Sequence, residues 1–317
     1  MRGQGTFDPE SLTRVLTPLP SAAVTDPAVL ADYYGFYHLD FSAYVPGVAH
    51  TVGWLTSGAH QIVVQRFDHP EPAGTAVVCH GYYDHVGLYG YLIRFLLEQR
   101  LTVVTFDQPG HGLSSGPRAT IGSFDEYVQT LADVIVHHQA TLTGPWYIIG
   151  QSMGGAITME YLARQPDHGF REVVLLAPLI RPANWRMARW AYLLARYTIR
   201  ERPRVITENA ENPEFLALMR RDPLAPMVLP VQWVSAMVTW MRAFEARGGL
   251  PFEPLVVQGH ADRTVDWQHN LATLRKMTRP TVLEIPAARH HLVNESDPIR
   301  EQIFDWLKPR LSPGGPQ

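Results

Sequence analysis

In the stretch Ile148-Ile149-Gly150-Gln151-Ser152-Met153-Gly154-Gly155 an apolar run meets a Gly-x-Ser-x-Gly pentapeptide and then a helix-forming segment. That order reads as strand, sharp turn, helix. A serine at the apex of such a turn is held in a strained backbone geometry that lifts its hydroxyl clear of the sheet, and Gly150 and Gly154 flank it because a Cβ at either site would collide across the bend. The pentapeptide alone is a weak signal, since Gly and Ser are common. Its context strengthens it: residues 146–149 read as a short buried strand, and 156–164 as a helix that Pro166 closes. Ser152 is therefore a candidate nucleophile.

The rest of the chain repeats the strand and helix rhythm. Residues 1 to about 30 are rich in Pro, Thr, Ser and Asp without a sustained period, which predicts an irregular N-terminal arm within the span 1–49. Strand patterns at 50–56 and 60–67, joined through Ser57-Gly58, predict an antiparallel hairpin. Short apolar strands follow at 75–79, 101–106, 146–149, 173–176, 255–258 and 281–285. Between them lie helical patterns, such as Leu88, Tyr91, Leu92, Phe95 and Leu96 on one face, a Ser123/Glu126 capping box running to about residue 138, and stretches at 266–276 and 298–307. Fully apolar strands alternating with helices predict an α/β fold with a mainly parallel central sheet covered on both faces.

The expected core is 50–180 with 250–308, followed by a tail at 309–317. Residues 181–249 break the rhythm with helical patterns and no convincing strand, so they read as an inserted helical cap. One stripe there, Trp233, Met237, Trp240, Met241 and Phe244, can pack on the main domain, form a wall of an acyl pocket, or do both. Another helix sets Arg186, Arg189, Arg196 and Arg200 beside Met187, Trp190, Leu194 and Tyr197. That face suits either plain solvation or transient contact with an anionic membrane surface.

At 317 residues the chain can bury a sizeable core, as one large domain or as one domain with an insertion. A hydrophobic fraction of 46% and a charged fraction of 18% belong to a globular protein, and no run of 18 apolar residues exists. A formal net charge of -3 argues against nucleic acid as partner. Cys79 is the single cysteine and sits in an apolar strand, where a buried thiol is expected. With no apolar signal segment at the N-terminus, a cytoplasmic location is expected, peripheral to the inner membrane surface if the cap docks there.

A serine hydroxyl needs a histidine to take its proton and a carboxylate to fix the histidine tautomer. Asp262 lies four residues beyond the strand at 255–258, and His290 five residues beyond the strand at 281–285; both are loops leaving the carboxyl ends of strands, where such folds meet ligands. The order Ser152, Asp262, His290 is the one expected when the serine sits on a strand-to-helix elbow. Asp266 and His291 are the alternatives as acid and base, although Asp266 also fits a helix start. His80, His85, His111, His260 and His269 read as polar-network residues. Neither His-Glu-x-x-His nor paired cysteines occur, so no metal and no cofactor is expected. Acyl transfer also needs donors for an oxyanion, and the backbone N–H groups of Met153 and Tyr82 are the candidates.

With these residues in place the sequence resembles the α/β-hydrolase superfamily, within it the group of monoacylglycerol lipases, bacterial lysophospholipases and serine-aminopeptidase-like hydrolases. The resemblance covers roughly residues 50 to 308. It rests on His80-Gly81-Tyr82-Tyr83-Asp84-His85, Phe106-Asp107-Gln108-Pro109-Gly110-His111-Gly112-Leu113-Ser114, the Ser152 elbow, Gly259-His260-Ala261-Asp262 and Ala288-Arg289-His290-His291-Leu292-Val293-Asn294-Glu295. The group's base falls on His290. Two departures are His291, where Glu is usual, and Ala287, where Gly is usual; two tyrosines also occupy a loop often built from small residues. The resemblance implies a serine hydrolase cleaving esters of single-chain acyl lipids. An aminopeptidase or amidase would use the same residues and need an acidic anchor, for which Glu208, Glu211 and Glu214 are available. A non-catalytic ligand-binding member is the rival of another class.

Overall fold

The computed structural model describes residues 7–19, 27–205 and 207–312. Helices α1 (Pro9–Thr13) and α2 (Pro27–Tyr37) precede the strands β1 (Ala49–Ser57) and β2 (His60–Asp68). Next come β3 (Gly74–Cys79), α3 (Gly90–Glu98), β4 (Leu101–Phe106), α4 (Phe124–Gln139), β5 (Trp146–Gln151), α5 (Met153–Arg164) and β6 (Phe170–Leu176). The inserted segment holds α6 (Trp185–Ala195), β7 (Glu201–Pro203), α7 (Pro213–Arg221), β8 (Val228–Pro230) and α8 (Val231–Glu245). The chain then returns through β9 (Leu255–Gly259), α9 (Trp267–Met277), β10 (Thr281–Ile285) and α10 (Asp297–Leu311).

Eight strands form one sheet in the order β1-β2-β4-β3-β5-β6-β9-β10. The pairs from β4 to β10 are parallel, whereas β2 runs antiparallel to both β1 and β4. The hairpin predicted around Ser57-Gly58 is present, with Ser57 paired to His60 and Gly58 in the left-handed region at φ 54°. Burial follows from the all-apolar strand patterns: every residue of β3 and β4 is buried. Two apolar layers result, one holding Leu92 of α3 and Ile303 of α10, the other Leu131 of α4, Ile157 of α5 and Leu271 of α9.

Two expectations need correction. The arm contains two helices, the five-residue α1 and the longer α2, because Pro9 stands in the first turn of α1 behind the Asp8 cap, and Pro27 begins α2. A proline in that position costs no hydrogen bond and presets the helical φ, so the prolines that read as breakers are starters. Residues 1–6, 20–26 and 313–317 of the predicted arm and tail lie outside the described residues. The insertion, read as lacking strands, contains a two-stranded antiparallel ribbon of β7 with β8. Its strands have three residues each, too short for any periodic signal.

The stripe on α8 both packs on the main domain and lines a cavity. Trp240 stacks on Phe124 of α4 with ring centroids 5.0 Å apart and donates to the buried Glu160 of α5, while Trp233 and Met237 face the cavity above Ser152. Arg247, just beyond α8, also pairs with Glu160. The insertion is thus fastened to the helix that follows the nucleophile elbow.

A close backbone approach sets the elbow itself. A Cβ on Gly154 would sit 2.1 Å from the carbonyl oxygen of Cys79, the last residue of β3. Neither backbone can yield without breaking the parallel β3–β5 ladder. Gly154→Ala is therefore expected to destabilise the protein by at least about 3 kcal/mol, the upper range for overpacking, read as a lowered denaturant midpoint at unchanged slope.

Candidate active site

Ser152 occupies the β5–α5 junction at φ 53°, ψ -114°, a conformation side chains rarely adopt. It persists because both backbone groups are committed: Ser152 N–H donates to Leu176 O (2.9 Å), and Leu179 N–H donates to Ser152 O (3.0 Å). The Asp262 and His290 loops leave the adjacent strands β9 and β10 and touch closely. A Cβ on Gly259 would meet Ala288 O at 2.1 Å. Only glycine lets the two loops cross at this separation.

The structure brings the three predicted side chains together. His290 Nε2 lies 2.9 Å from Ser152 Oγ, and His290 Nδ1 lies 2.7 Å from Asp262 Oδ2. Asp262 Oδ1 accepts from the N–H groups of Thr264 (2.7 Å) and Val265 (3.1 Å), and Oδ2 also accepts from Gln258 Nε2 (3.3 Å). A carboxylate only accepts, so Nδ1 carries the imidazole hydrogen and Nε2 turns its lone pair to the serine. Burial opposes charge on both partners, yet their mutual attraction outweighs it: the imidazole of His290 is held above its ordinary range and the Asp262 carboxyl below its own. The arrangement can take a proton from Ser152 and stabilise the imidazolium that results.

The alternatives are placed elsewhere. Asp266 caps α9, its carboxylate accepting from His269 N–H at 3.2 Å. His291 turns away from Ser152 and binds Asp84 Oδ2 through Nε2 at 3.1 Å. Its Nδ1 lies 3.1 Å from Asn294 Nδ2, which donates to it. Tyr89 O–H donates to the same carboxylate and accepts from Gly81 N–H. Asp84 is accordingly held well below the usual carboxylate range by His291 and Tyr89, against its burial. The remaining histidines are network members: His80 bridges Gly81 O and Gln108 N–H, His260 meets Glu284 and His269 meets Glu245. Sequence reading missed the Asp84–His291 pair; its one signal was His291 standing where a glutamate is usual.

Met153 begins α5, so its N–H has no acceptor within the helix. Tyr82 follows Gly81, where an added Cβ would lie 3.3 Å from Ser152 Cβ, so this loop runs directly over the nucleophile. A cavity of about 580 Å³ opens beside Ser152 and His290, within the range of small-molecule sites. Its far walls come from the insertion, chiefly Trp185, Tyr192, Trp233 and Met237. Glu208 and Glu211 lie outside it, each paired with Arg289, and Glu214 is exposed.

The strand order, the elbow and the Ser-His-Asp geometry are those of an α/β-hydrolase. The family described as serine aminopeptidase, S33, matches residues 70–297, and the chain belongs to it. Among its relatives, human monoglyceride lipase is 28% identical over 267 residues, 77% of this chain and 85% of that protein. The monoacylglycerol lipase of Mycolicibacterium smegmatis is 26% identical over 256 residues, 76% of this chain and 90% of that protein. A soluble variant of Saccharomyces cerevisiae monoglyceride lipase, solved with a substrate analog, superposes with a TM-score of 0.74 at 17% identity, covering 86% of this chain and 98% of that one.

Because His290 must be neutral to accept a proton and its affinity for protons is raised, ester hydrolysis is expected to fall as pH drops, with the midpoint of kcat/KM above the ordinary imidazole value of 6.5. Asp262→Asn is expected to lower kcat by roughly 10⁴-fold and move that midpoint down, measured as a pH–rate profile.

Proposed function

We propose that the protein is a serine hydrolase cleaving carboxylic esters of single-chain acyl lipids, monoacylglycerols or lysophospholipids, through an acyl-enzyme. Ser152 attacks the ester carbonyl, His290 takes its proton and returns it to the leaving alcohol, and Asp262 orients His290. The N–H groups of Met153 and Tyr82 receive the oxyanion. Residues 181–249 act as the cap, over a core of 50–180 and 250–308. The observation that carries the reading is the cavity: a largely apolar chamber, walled by Trp185, Trp233 and Met237, meets the Ser152–His290 pair. Monoglyceride lipases and a Bacillus subtilis phospholipase, 24% identical over 74% of this chain, are the relatives that support the substrate class.

The aminopeptidase reading is weaker. It needs a free carboxylate in the cavity for an amino terminus, and Glu208 and Glu211 face Arg289 instead. Asp84 does line the cavity, but its Oδ2 already receives His291 and Tyr89.

The reading includes contact with the cytoplasmic membrane surface through α6. Trp185, Ala188 and Tyr192 turn to the cavity, while Met187, Trp190, Leu194 and Tyr197 are each more than two-thirds exposed. Seven arginines and one glutamate lie in residues 181–204, against a formal -3 for the whole chain. An apolar helix face rimmed by cations suits an anionic lipid interface, and would put the cavity mouth where single-chain lipids partition. No helix among the described residues is long and apolar enough to cross a membrane.

Hydrolysis of nitrophenyl esters from acetate to palmitate tests the chemistry. Turnover is expected to peak at acyl chains of about eight carbons or more and to fall by roughly 10⁴-fold or more in Ser152→Ala. Preference for acetate, or faster cleavage of aminoacyl-anilides than of esters, would overturn the lipid reading. In sedimentation with vesicles, phosphatidylglycerol is expected to retain the protein better than phosphatidylcholine, and Trp190→Asp with Leu194→Asp to abolish that retention.

A further inference from the structure

The loop from Gly81 to His85 carries a proposed oxyanion donor, and its side chains are held in place by the cap. The Tyr82 ring stacks on Trp233 with centroids 3.6 Å apart and planes at 16°, while its hydroxyl donates to Ala119 O. Tyr83, in the left-handed region at φ 70°, carries the Arg204 guanidinium 4.2 Å above its ring. His85 Nε2 meets Asp222 Oδ2 at 2.9 Å, both side chains being buried. Trp233, Arg204 and Asp222 all belong to the segment between β6 and β9. The loop is therefore gripped at three side chains by an element distant in sequence.

Asp222 is the central grip. His85 Nδ1 accepts from Gly87 N–H at 3.1 Å, so the ring's hydrogen is on Nε2 and is donated to Asp222. Asp222 Oδ1 accepts from Tyr37 O–H at 2.7 Å and from Leu224 N–H at 2.9 Å. Three donors thus converge on two oxygens, from the loop, from the N-terminal helix α2 and from the chain leaving α7. A carboxylate satisfies all three. An amide of the same shape offers one oxygen and turns its NH₂ group toward at least one of the donors.

We propose that Asp222 is a positioning residue for the oxyanion loop: by binding His85 and Tyr37 together it clamps the loop between cap and N-terminal helix, so the Tyr82 N–H is aimed at the oxyanion only while the cap is seated. This rests on the ester-hydrolase reading given above. It assigns the N-terminal helix, which touches no reacting atom, a part in aligning the site. It also links cap position to chemistry, because displacing α7 removes the acceptor that holds His85.

The test uses the full chain and the variants Asp222→Asn and Tyr37→Phe. Labelling to completion with a fluorophosphonate counts competent sites, so kcat on nitrophenyl octanoate is expressed per site. Affinities are measured for an alkyl trifluoromethyl ketone, which places an oxyanion in the hole, and for a fatty alcohol, which only fills the acyl cavity. Asp222→Asn is expected to lower kcat per site about ten- to hundredfold, less than outright removal of an oxyanion donor, with KM changed less than about threefold. The ketone should weaken by a similar factor and the alcohol should not. Tyr37→Phe is expected to act in the same direction by about three- to tenfold, and carries the comparison should Asp222→Asn fail to fold. Unchanged kcat per site, or equal weakening of ketone and alcohol, would overturn the proposal and leave Asp222 a purely structural residue. A wild type in which Ser152 is not labelled would overturn the hydrolase reading, and this proposal with it.

Discussion

The β5–α5 turn is the constraint on which everything else depends. Its backbone presses against the end of β3 closely enough that Gly154 admits no side chain, and that contact forces Ser152 into a positive φ. Strain of this kind survives only where the surroundings over-determine it. Here the parallel ladders β3–β5 and β5–β6 and the hydrogen bonds of Ser152 to Leu176 and Leu179 supply the determination. A hydroxyl at that apex has one direction to point, toward the loops at the carboxyl ends of the strands.

Of the three buried Asp–His pairs at this end of the sheet, two use adjacent histidines. His290 joins Asp262 to the nucleophile, whereas Asp84 joins His291 to Tyr89 and through it to the Gly81 N–H. The chain bends at His290, and the two neighbouring rings point to different carboxylates, so one loop serves both. One pair holds the proton-transfer group, and the other holds the loop that passes over it. An unpaired charge at either place would carry a heavy desolvation cost; Asp262 receives donors on both oxygens, and Asp84 receives His291 and Tyr89 on Oδ2.

Covering these pairs is an insertion that is neither uniform nor loose. From Glu208 onward it is tied down through Glu160, Asp222 and the ion pairs of Arg289, while α6 at the mouth presents an apolar face outward. That division gives a chamber whose reacting end is held by buried contacts and whose entrance carries exposed apolar side chains. The N-terminal helix belongs to the rigid end through Tyr37.

By itself the sequence determined the eight strands, their alternation with helices, and the positions of Ser152, Asp262 and His290, because apolar period, turn glycines and loop position are local signals. It also marked residues 181–249 as foreign to the rhythm. What it left open was decided by contacts between segments far apart in the chain. The alternatives found their own partners there, His291 in Asp84 and Asp266 in the first turn of α9. The helical arm was hidden by prolines that break helices in their middles but begin them at their first turn. The three donors on Asp222 come from positions 37, 85 and 224, a convergence no local pattern encodes, because it exists only once α2, the loop at 81–85 and the insertion are packed together.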